Sequence, residues 1–252
     1  MAKYDGILIM SDWDGTLSTG GTVSEENAEA IRGFQCEGGK FTMCSGRNYN
    51  YFDAFADFVV PNAPICAYNG ALIVNTDGRI LRRSFLGGEI FPSLFELAAS
   101  GHFQKMNVYT PDTNGPAQKD IKEVLDNTEK YRSMKLYKTV FVAETEEQAL
   151  LGGALAEKIL PDGYTAVRSW STGLEILKHS ASKGEALKFL KSYLGARLAV
   201  AVGDFENDVD MLRAADIGYA VANAASSAKA AADRITVAAE ESAIAKIIRE
   251  LS

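Results

Sequence analysis

Two aspartates one residue apart, Asp12 and Asp14, follow a short apolar run, Ile7-Leu8-Ile9-Met10. On an extended chain, residues two apart point the same way, so these carboxylates can converge while Trp13 points elsewhere. Converging carboxylates repel unless a proton or a cation lies between them. A hard divalent ion such as Mg²⁺ suits them, because it prefers carboxylate and carbonyl oxygen. Taken alone, Asp12-Trp13-Asp14-Gly15-Thr16 is also compatible with an Asp-Gly turn carrying solvated acids. Two further apolar runs end in similar chemistry. Residues 40–44 lead into Ser45-Gly46-Arg47, and residues 198–202 lead into Gly203-Asp204-Phe205-Glu206-Asn207-Asp208. Three such run ends argue for one shared site. Lys183-Gly184 opens a helix, where a lysine has the wrong sign for the helix dipole. It is either a solvated lysine with a small penalty or a cation aimed at an anion bound beside that helix N-terminus.

Positioning these groups requires a particular order of elements. Residues 7–10 and 40–44 are predicted strands, as short continuous apolar runs suit strands buried on both faces. Between them, Ser24 followed by Glu25 and Glu26 predicts a capped helix reaching about Gly38. Residues 65–74 and 79–83 are predicted strands around the turn Asn75-Thr76-Asp77-Gly78. This order predicts an α/β fold with a doubly wound, mostly parallel, Rossmann-like sheet, in which ligands bind outside the carboxyl ends of the strands. The middle of the chain differs. Strand patterns near 105–109, 138–143, 164–168 and 174–177, with helical stretches near 92–100, 117–130 and 145–159, predict an inserted α+β module. Ser182 and Glu185 then form a capping box for a helix to about Leu194, and a buried strand at 198–202 resumes the core. The expected division is a core of residues 1–82 and 180–252 and an inserted cap of residues 83–179.

Composition narrows the function classes. The 252 residues carry a net charge of −7, a poor balance for binding nucleic acid, which needs clustered Lys and Arg. No apolar run approaches the roughly 20 residues of a membrane span. The first residues lack the apolar core of a signal peptide, and three sparse cysteines fit free thiols in a reducing compartment, so a cytoplasmic location is expected. Cys36, Cys44 and Cys66 read as small apolar residues. His102 and His179 have no Ser or Cys partner placed by a motif, which argues against a Ser-His-Asp hydrolase. Gly33 to Lys40 lacks the lysine of a phosphate-binding loop. Trp170, beside the Ser171-Thr172-Gly173 turn, reads either as facing substrate or as a packing aromatic.

Taken together, the ordered motifs Asp12-x-Asp14-Gly-Thr, Ser45-Gly46-Arg47, Lys183-Gly184 and Gly203-Asp204-x-x-Asn207-Asp208 resemble the haloacid dehalogenase-like superfamily of aspartate-nucleophile phosphatases. An insertion between the second and third motifs marks the type with a large α/β cap. Asn69-Gly70-Ala71, Glu175-Ile176 and Ala220-Val221-Ala222-Asn223-Ala224 further resemble the Cof-type subgroup, which includes the sucrose-phosphatase-like proteins. Two departures are Trp13, bulkier than the usual aliphatic residue, and Ser45 in place of the commoner Thr. The resemblance implies that Asp12 attacks phosphorus to form an aspartyl-phosphate. It implies that Asp14 protonates the leaving oxygen and then activates water. Mg²⁺ would bind Asp12, the Asp14 main-chain carbonyl and Asp204, with Asp208 ligating or orienting. Ser45, Gly46, Lys183 and Asn207 would hold the phosphoryl group. Arg47, Asn69 and Glu175 are candidate substrate contacts. The expected partner is a small phosphorylated metabolite, such as a sugar phosphate. The same aspartate chemistry also serves phosphomutases similar to the phosphomannomutases, and a sugar-phosphate sensor is the non-catalytic alternative.

Overall fold

The central strand, Ile7–Ser11, is buried along its whole length and pairs in parallel on both edges. Ile9 lies beside Val200 on one side and beside Phe41 on the other. An apolar strand with two partners needs cover on both faces, which explains the unbroken Ile-Leu-Ile-Met run. The computed structural model describes residues 2–55, 58–112 and 116–251. Its five-stranded parallel sheet runs in the order Arg234–Ile235, Ile217–Ala220, Leu198–Gly203, Ile7–Ser11, Lys40–Met43. From Ile7–Ser11 the next core strand in sequence, Lys40–Met43, lies to one side and Leu198–Gly203 to the other. Strand order therefore reverses at Ile7–Ser11, and in doubly wound sheets the carboxyl end of such a strand is where ligands bind. Asp12, Ser45 and Asp204 all lie just beyond strand ends on that edge.

Local chemistry explains the flanking elements. Ser24 accepts a hydrogen bond from the Asn27 N–H and caps helix Glu25–Cys36, whose Ala28, Ile31 and Phe34 are buried. Asn27 in turn accepts from the Ala245 N–H and ties this helix to Ala243–Glu250. Residues 65–74, expected as one strand, are two short antiparallel ones, Ile65–Ala67 and Leu72–Val74. The chain reverses at Tyr68, Asn69 and Gly70, with φ of 52°, 60° and 105°. Asn and Gly tolerate this left-handed region, so the pair forms a turn where the apolar pattern reads as continuous strand.

The chain divides into two compact units, Met1–Arg82 with Ser182–Ser252, and Arg83–Ala181. The second unit holds a five-stranded sheet in the order Ala117–Asp120, Lys105–Tyr109, Lys138–Val142, Gly173–Lys178, Tyr164–Trp170, whose pairings are antiparallel. Helices Phe91–Ala99 and Glu146–Ile159 contribute Leu94, Leu97, Ala149 and Ala156 to its apolar core. Thr145 and Gln148 form a reciprocal capping box at the start of the second helix. The helix expected over 117–130 begins only at Ile121, because Ala117–Asp120 pairs with Lys105–Val108 as an edge strand. Sheet pairing supplies backbone partners that a single helical turn there would not.

Candidate active site

Asp12 is placed by the sheet itself. Its N–H donates to Val202 O at 2.9 Å, one residue past the strand end, and the residue is buried. Trp13 points away and is fully buried, as the alternation requires. The loop then closes tightly, with Ser18 N–H donating to Trp13 O at 2.8 Å and Gly15 N–H to Ser18 O at 3.0 Å. Gly15 has φ of +77°, and a Cβ there would lie 2.7 Å from Asp204 Oδ2. Only glycine permits both the turn and this approach. Thr16 donates from Oγ1 to Asp204 Oδ1 at 2.8 Å, which orients Asp204 toward the same loop.

Lys183 joins the two halves of the motif set. Its Nζ donates to Asp12 Oδ1 and to Asp208 Oδ1, each at 2.6 Å, with the side chain 1% exposed. Burial alone would lower its pKa, but Asp12 and Asp208 outweigh that and hold it well above the usual lysine value. The lysine is therefore a fixed cation. It is neither solvated nor spread along the helix dipole, which resolves the wrong-sign placement at the start of Lys183–Leu194. Asp208 is locked from its other side, where Oδ2 accepts from the Asp204 and Phe205 N–H groups at 3.0 and 3.1 Å. With both oxygens engaged, Asp208 is built to orient Lys183 and the Asp204 backbone. Gly203 is required here, as a Cβ would collide with Asp208.

The charge balance of this cluster is unfavourable as it stands. Carboxylate oxygens of Asp12, Asp204 and Asp208 lie within 4.8 Å of one another, with one ammonium among them. Burial pushes the Asp12 carboxyl well above the usual carboxylate range, and Asp208 and Asp204 push the same way against Lys183. Burial and then Asp208 push Asp204 up to about 6. Excess negative charge in an all-oxygen donor set fits a hard divalent cation.

Asp14 is different. Its side chain is 54% exposed and takes a bidentate pair from Arg47, Nε to Oδ2 at 2.7 Å and one terminal nitrogen to Oδ1 at 2.6 Å. The Arg47 guanidinium also lies 3.8 Å from the Tyr51 ring centroid. Ser45 is buried, and its Oγ accepts from the Arg47 N–H at 3.2 Å, which leaves its own hydrogen to donate. Gly46 continues this loop and Asn207 sits half-buried on the short turn Glu206–Asp208. Asn69 acts through its backbone, since its N–H donates to Ser45 O at 2.9 Å and the Tyr68 N–H to Arg47 O at 3.0 Å. Its turn thus shapes the Ser45 loop from behind. Glu175 belongs to the second unit, where its carboxylate accepts from Lys138 Nζ at 2.7 Å. Trp170 stacks its ring against Gly173 and donates to Thr172 Oγ1 at 3.1 Å, so it has a packing role in its own hairpin.

Several supports have contacts that their motifs do not reveal. Besides Thr16, Asn223 donates from Nδ2 to Gly15 O at 2.9 Å while its Oδ1 accepts from the Ala239 N–H. Asp210 accepts from the Gly184 N–H at 3.0 Å and anchors the helix that carries Lys183. The Ala220 to Ala224 motif was legible as a resemblance, and its asparagine is the part that clamps the Asp12–Asp14 loop.

The pattern of the family described as haloacid dehalogenase-like hydrolase matches residues 9–248. YxeH of Bacillus subtilis is 29% identical, over 97% of each chain. Phosphatase YwpJ of the same organism is 27% identical, over 97% of this chain and 99% of its own. A solved haloacid dehalogenase-like hydrolase from B. subtilis superposes with a TM-score of 0.81 at 24% identity, covering 97% of this chain and 99% of that one. The chain belongs to the haloacid dehalogenase-like hydrolase family, and within it is an enzyme of the phosphoric monoester hydrolase class.

Proposed function

We propose that the protein is a Mg²⁺-dependent phosphatase that releases phosphate from a small phosphorylated metabolite, a sugar phosphate or close relative, through an aspartyl-phosphate on Asp12. The observation that carries this reading is the Asp12–Lys183–Asp208 arrangement. It holds one carboxylate just past the strand end, with Oδ1 engaged by Lys183. Asp12 attacks phosphorus with a carboxylate oxygen, and the alcohol oxygen departs as the new bond forms. Lys183, held by Asp12 and Asp208, gives its third N–H to an equatorial oxygen of the transferring group, and the Ser45 hydroxyl donates to another. Asp14, at the exposed side of the loop, gives the departing oxygen a proton. It then takes one from the water that attacks the aspartyl-phosphate, so the proton count closes over the two steps.

Asp12, Asp204 and the Asp14 main-chain carbonyl would hold the metal, with Asp208 orienting the set. Bound there, Mg²⁺ would offset the repulsion between an anionic nucleophile and an anionic phosphate. The second unit, residues 83–179 in the sequence division, supplies the substrate-selecting contacts under this reading. Its near-neutral charge, 11 Lys and Arg against 13 Asp and Glu, favours a small monophosphate over a nucleotide or polyphosphate.

The test is phosphate release across a panel of phosphorylated metabolites. Release is expected with Mg²⁺ and no bisphosphate activator, and is expected to stop in excess chelator. Full turnover with metal removal verified contradicts the metal assignment, and isomerised ester without free phosphate indicates a mutase. The raised Asp204 value adds a pH signature. Between its ordinary value of 3.8 and about 6 the folded chain binds a proton that the unfolded chain has lost. The metal-free protein should therefore lose stability as pH rises through that window, by the Asp204 contribution. Mg²⁺ competes with the same proton, so its affinity should weaken as pH falls below about 6. Thermal unfolding with and without Mg²⁺ across this window, in wild type and Asp204→Asn, reads both effects. An unchanged slope in the variant removes Asp204 as their source.

A further inference from the structure

Arg47 is held from three sides, more than a surface arginine needs. Its N–H donates to Ser45 Oγ at 3.2 Å, and its C=O accepts from the Tyr68 N–H at 3.0 Å. Its guanidinium lies 3.8 Å from the Tyr51 ring centroid. Through Nε and one terminal nitrogen it then grips both oxygens of Asp14, at 2.7 and 2.6 Å. The support behind it is strained. Tyr68 and Asn69 have φ of 52° and 60°, a left-handed conformation that a bulky residue such as tyrosine adopts only at a cost. Both N–H groups of this pair go to one loop, Asn69 to Ser45 O and Tyr68 to Arg47 O.

Stability does not account for the arrangement. The Asp14 and Arg47 side chains both reach solvent, where an ion pair contributes little. A contact with substrate accounts for it no better. Tyr51 covers one face of the guanidinium, and the paired edge is filled by a carboxylate. An anionic substrate arriving at that edge would have to displace Asp14. Orientation does account for it. A carboxylate on an exposed loop rotates freely, and a planar two-donor fork fixes both its direction and its plane. An ionised carboxylate accepts about four hydrogen bonds, so roughly two directions stay open to reacting atoms.

We infer that Arg47 is a positioning residue that acts on the reaction through Asp14, by fixing the direction of its carboxylate, and that Tyr51 steadies Arg47 in turn. The inference rests on the phosphatase reading, with Asp14 as acid and base. The Tyr68–Asn69 turn is the fixed support. The Ser45 hydroxyl, offered to the phosphoryl group, and the arginine that aims the acid are carried by the same loop. One rigid segment thereby sets where the phosphate sits and where the proton comes from.

The test is a double-mutant cycle between positions 47 and 14, read on an alkyl phosphate and on 4-nitrophenyl phosphate. Arg47→Met should unfold at the temperature of wild type, since the pair it removes faces solvent. Its kcat on the alkyl ester should fall about 10-fold or more, the effect of a misaimed acid, while KM stays within about threefold. The aryl ester, whose leaving group needs no proton, should lose less. In the Asp14→Asn background the same Arg47→Met change should cost no more than about twofold on either substrate. Arg47→Lys should recover only part of the loss, because a single ammonium replaces a planar fork. Tyr51→Leu removes the stacking but no donor to Asp14, and should lower kcat on the alkyl ester by a smaller factor. A loss that persists undiminished in Asp14→Asn, or a KM that rises on both substrates with kcat unchanged, makes Arg47 a substrate contact and overturns the inference. So does full activity in Arg47→Met, which reduces the pair to surface charge. Each of those results leaves the phosphatase reading standing. Failure of wild type to hydrolyse either ester would instead defeat that reading.

Discussion

Asp12→Asn is expected to reduce phosphate release to background while leaving the metal-free protein at least as stable as wild type. Both effects come from the same burial. An amide cannot form an acyl phosphate, so the two-step route is closed at its first step. The amide oxygen can still accept from Lys183 Nζ, and Lys183 keeps its second partner in Asp208. The substitution also removes a carboxylate whose ionisation is opposed first by burial and then by Asp208 and Asp204. Repulsion in the cluster falls, and with it the benefit of a bound cation. Phosphate release and thermal unfolding in chelator, measured on the same preparations, check the pair of outcomes. Turnover near the wild-type level would remove Asp12 from the nucleophile role. Loss of turnover accompanied by loss of the fold would make the activity result uninformative about chemistry and contradict the stability argument.

Asp14→Asn is expected to separate substrates by their leaving groups. An alkoxide needs a proton in the transition state, whereas a nitrophenolate leaves without one. General acid catalysis contributes about 100- to 10,000-fold, so kcat/KM for a sugar phosphate should fall much further than for an activated aryl phosphate. The aryl ester should not be wholly spared, because Asp14 also serves as base toward water in the second step, and phosphoenzyme should accumulate with that substrate. The fold should be unaffected. The Asp14–Arg47 pair is bidentate, but the side chains are 54% and 38% exposed, and pairs that face solvent contribute little to stability. If Asp14 serves only to shape the turn and offer its carbonyl, both substrates lose activity by the same factor. The ratio of kcat/KM values for the two substrates, in wild type and variant, decides between these roles.

The parts of this site that were legible in the sequence are those where local pattern and chemistry coincide. An unbroken apolar run followed by Asp12-x-Asp14 shows both the buried strand and what it delivers. The same holds for Leu198–Gly203 and Asp204. What the sequence concealed depends on contacts between distant positions. Thr16 finds Asp204 across 188 residues, and Asn223 finds Gly15 across 208. Neither residue type nor spacing announces such a pairing. Lys183 looked misplaced at a helix start because its partners, Asp12 and Asp208, come from two other elements. Asn69-Gly70 was legible as a motif and hidden as a turn, since the apolar residues on either side masked the reversal. The edge strand Ala117–Asp120 was lost for a similar reason. Its alternation is short, and its pairing with Lys105–Val108 outweighs local helical preference.

During turnover the phosphoryl group is expected to rest on Asp12. The direct measurement is a rapid acid quench of the working enzyme, in the Asp14→Asn background with an activated aryl phosphate, followed by borohydride reduction and peptide mass spectrometry. An acyl phosphate reduces to an alcohol, so homoserine is expected at position 12 and unmodified aspartate at 204 and 208. The same quench of Asp12→Asn should give no reduced residue. Reduction at any other carboxylate, or rapid phosphate release with every aspartate unmodified, would contradict it.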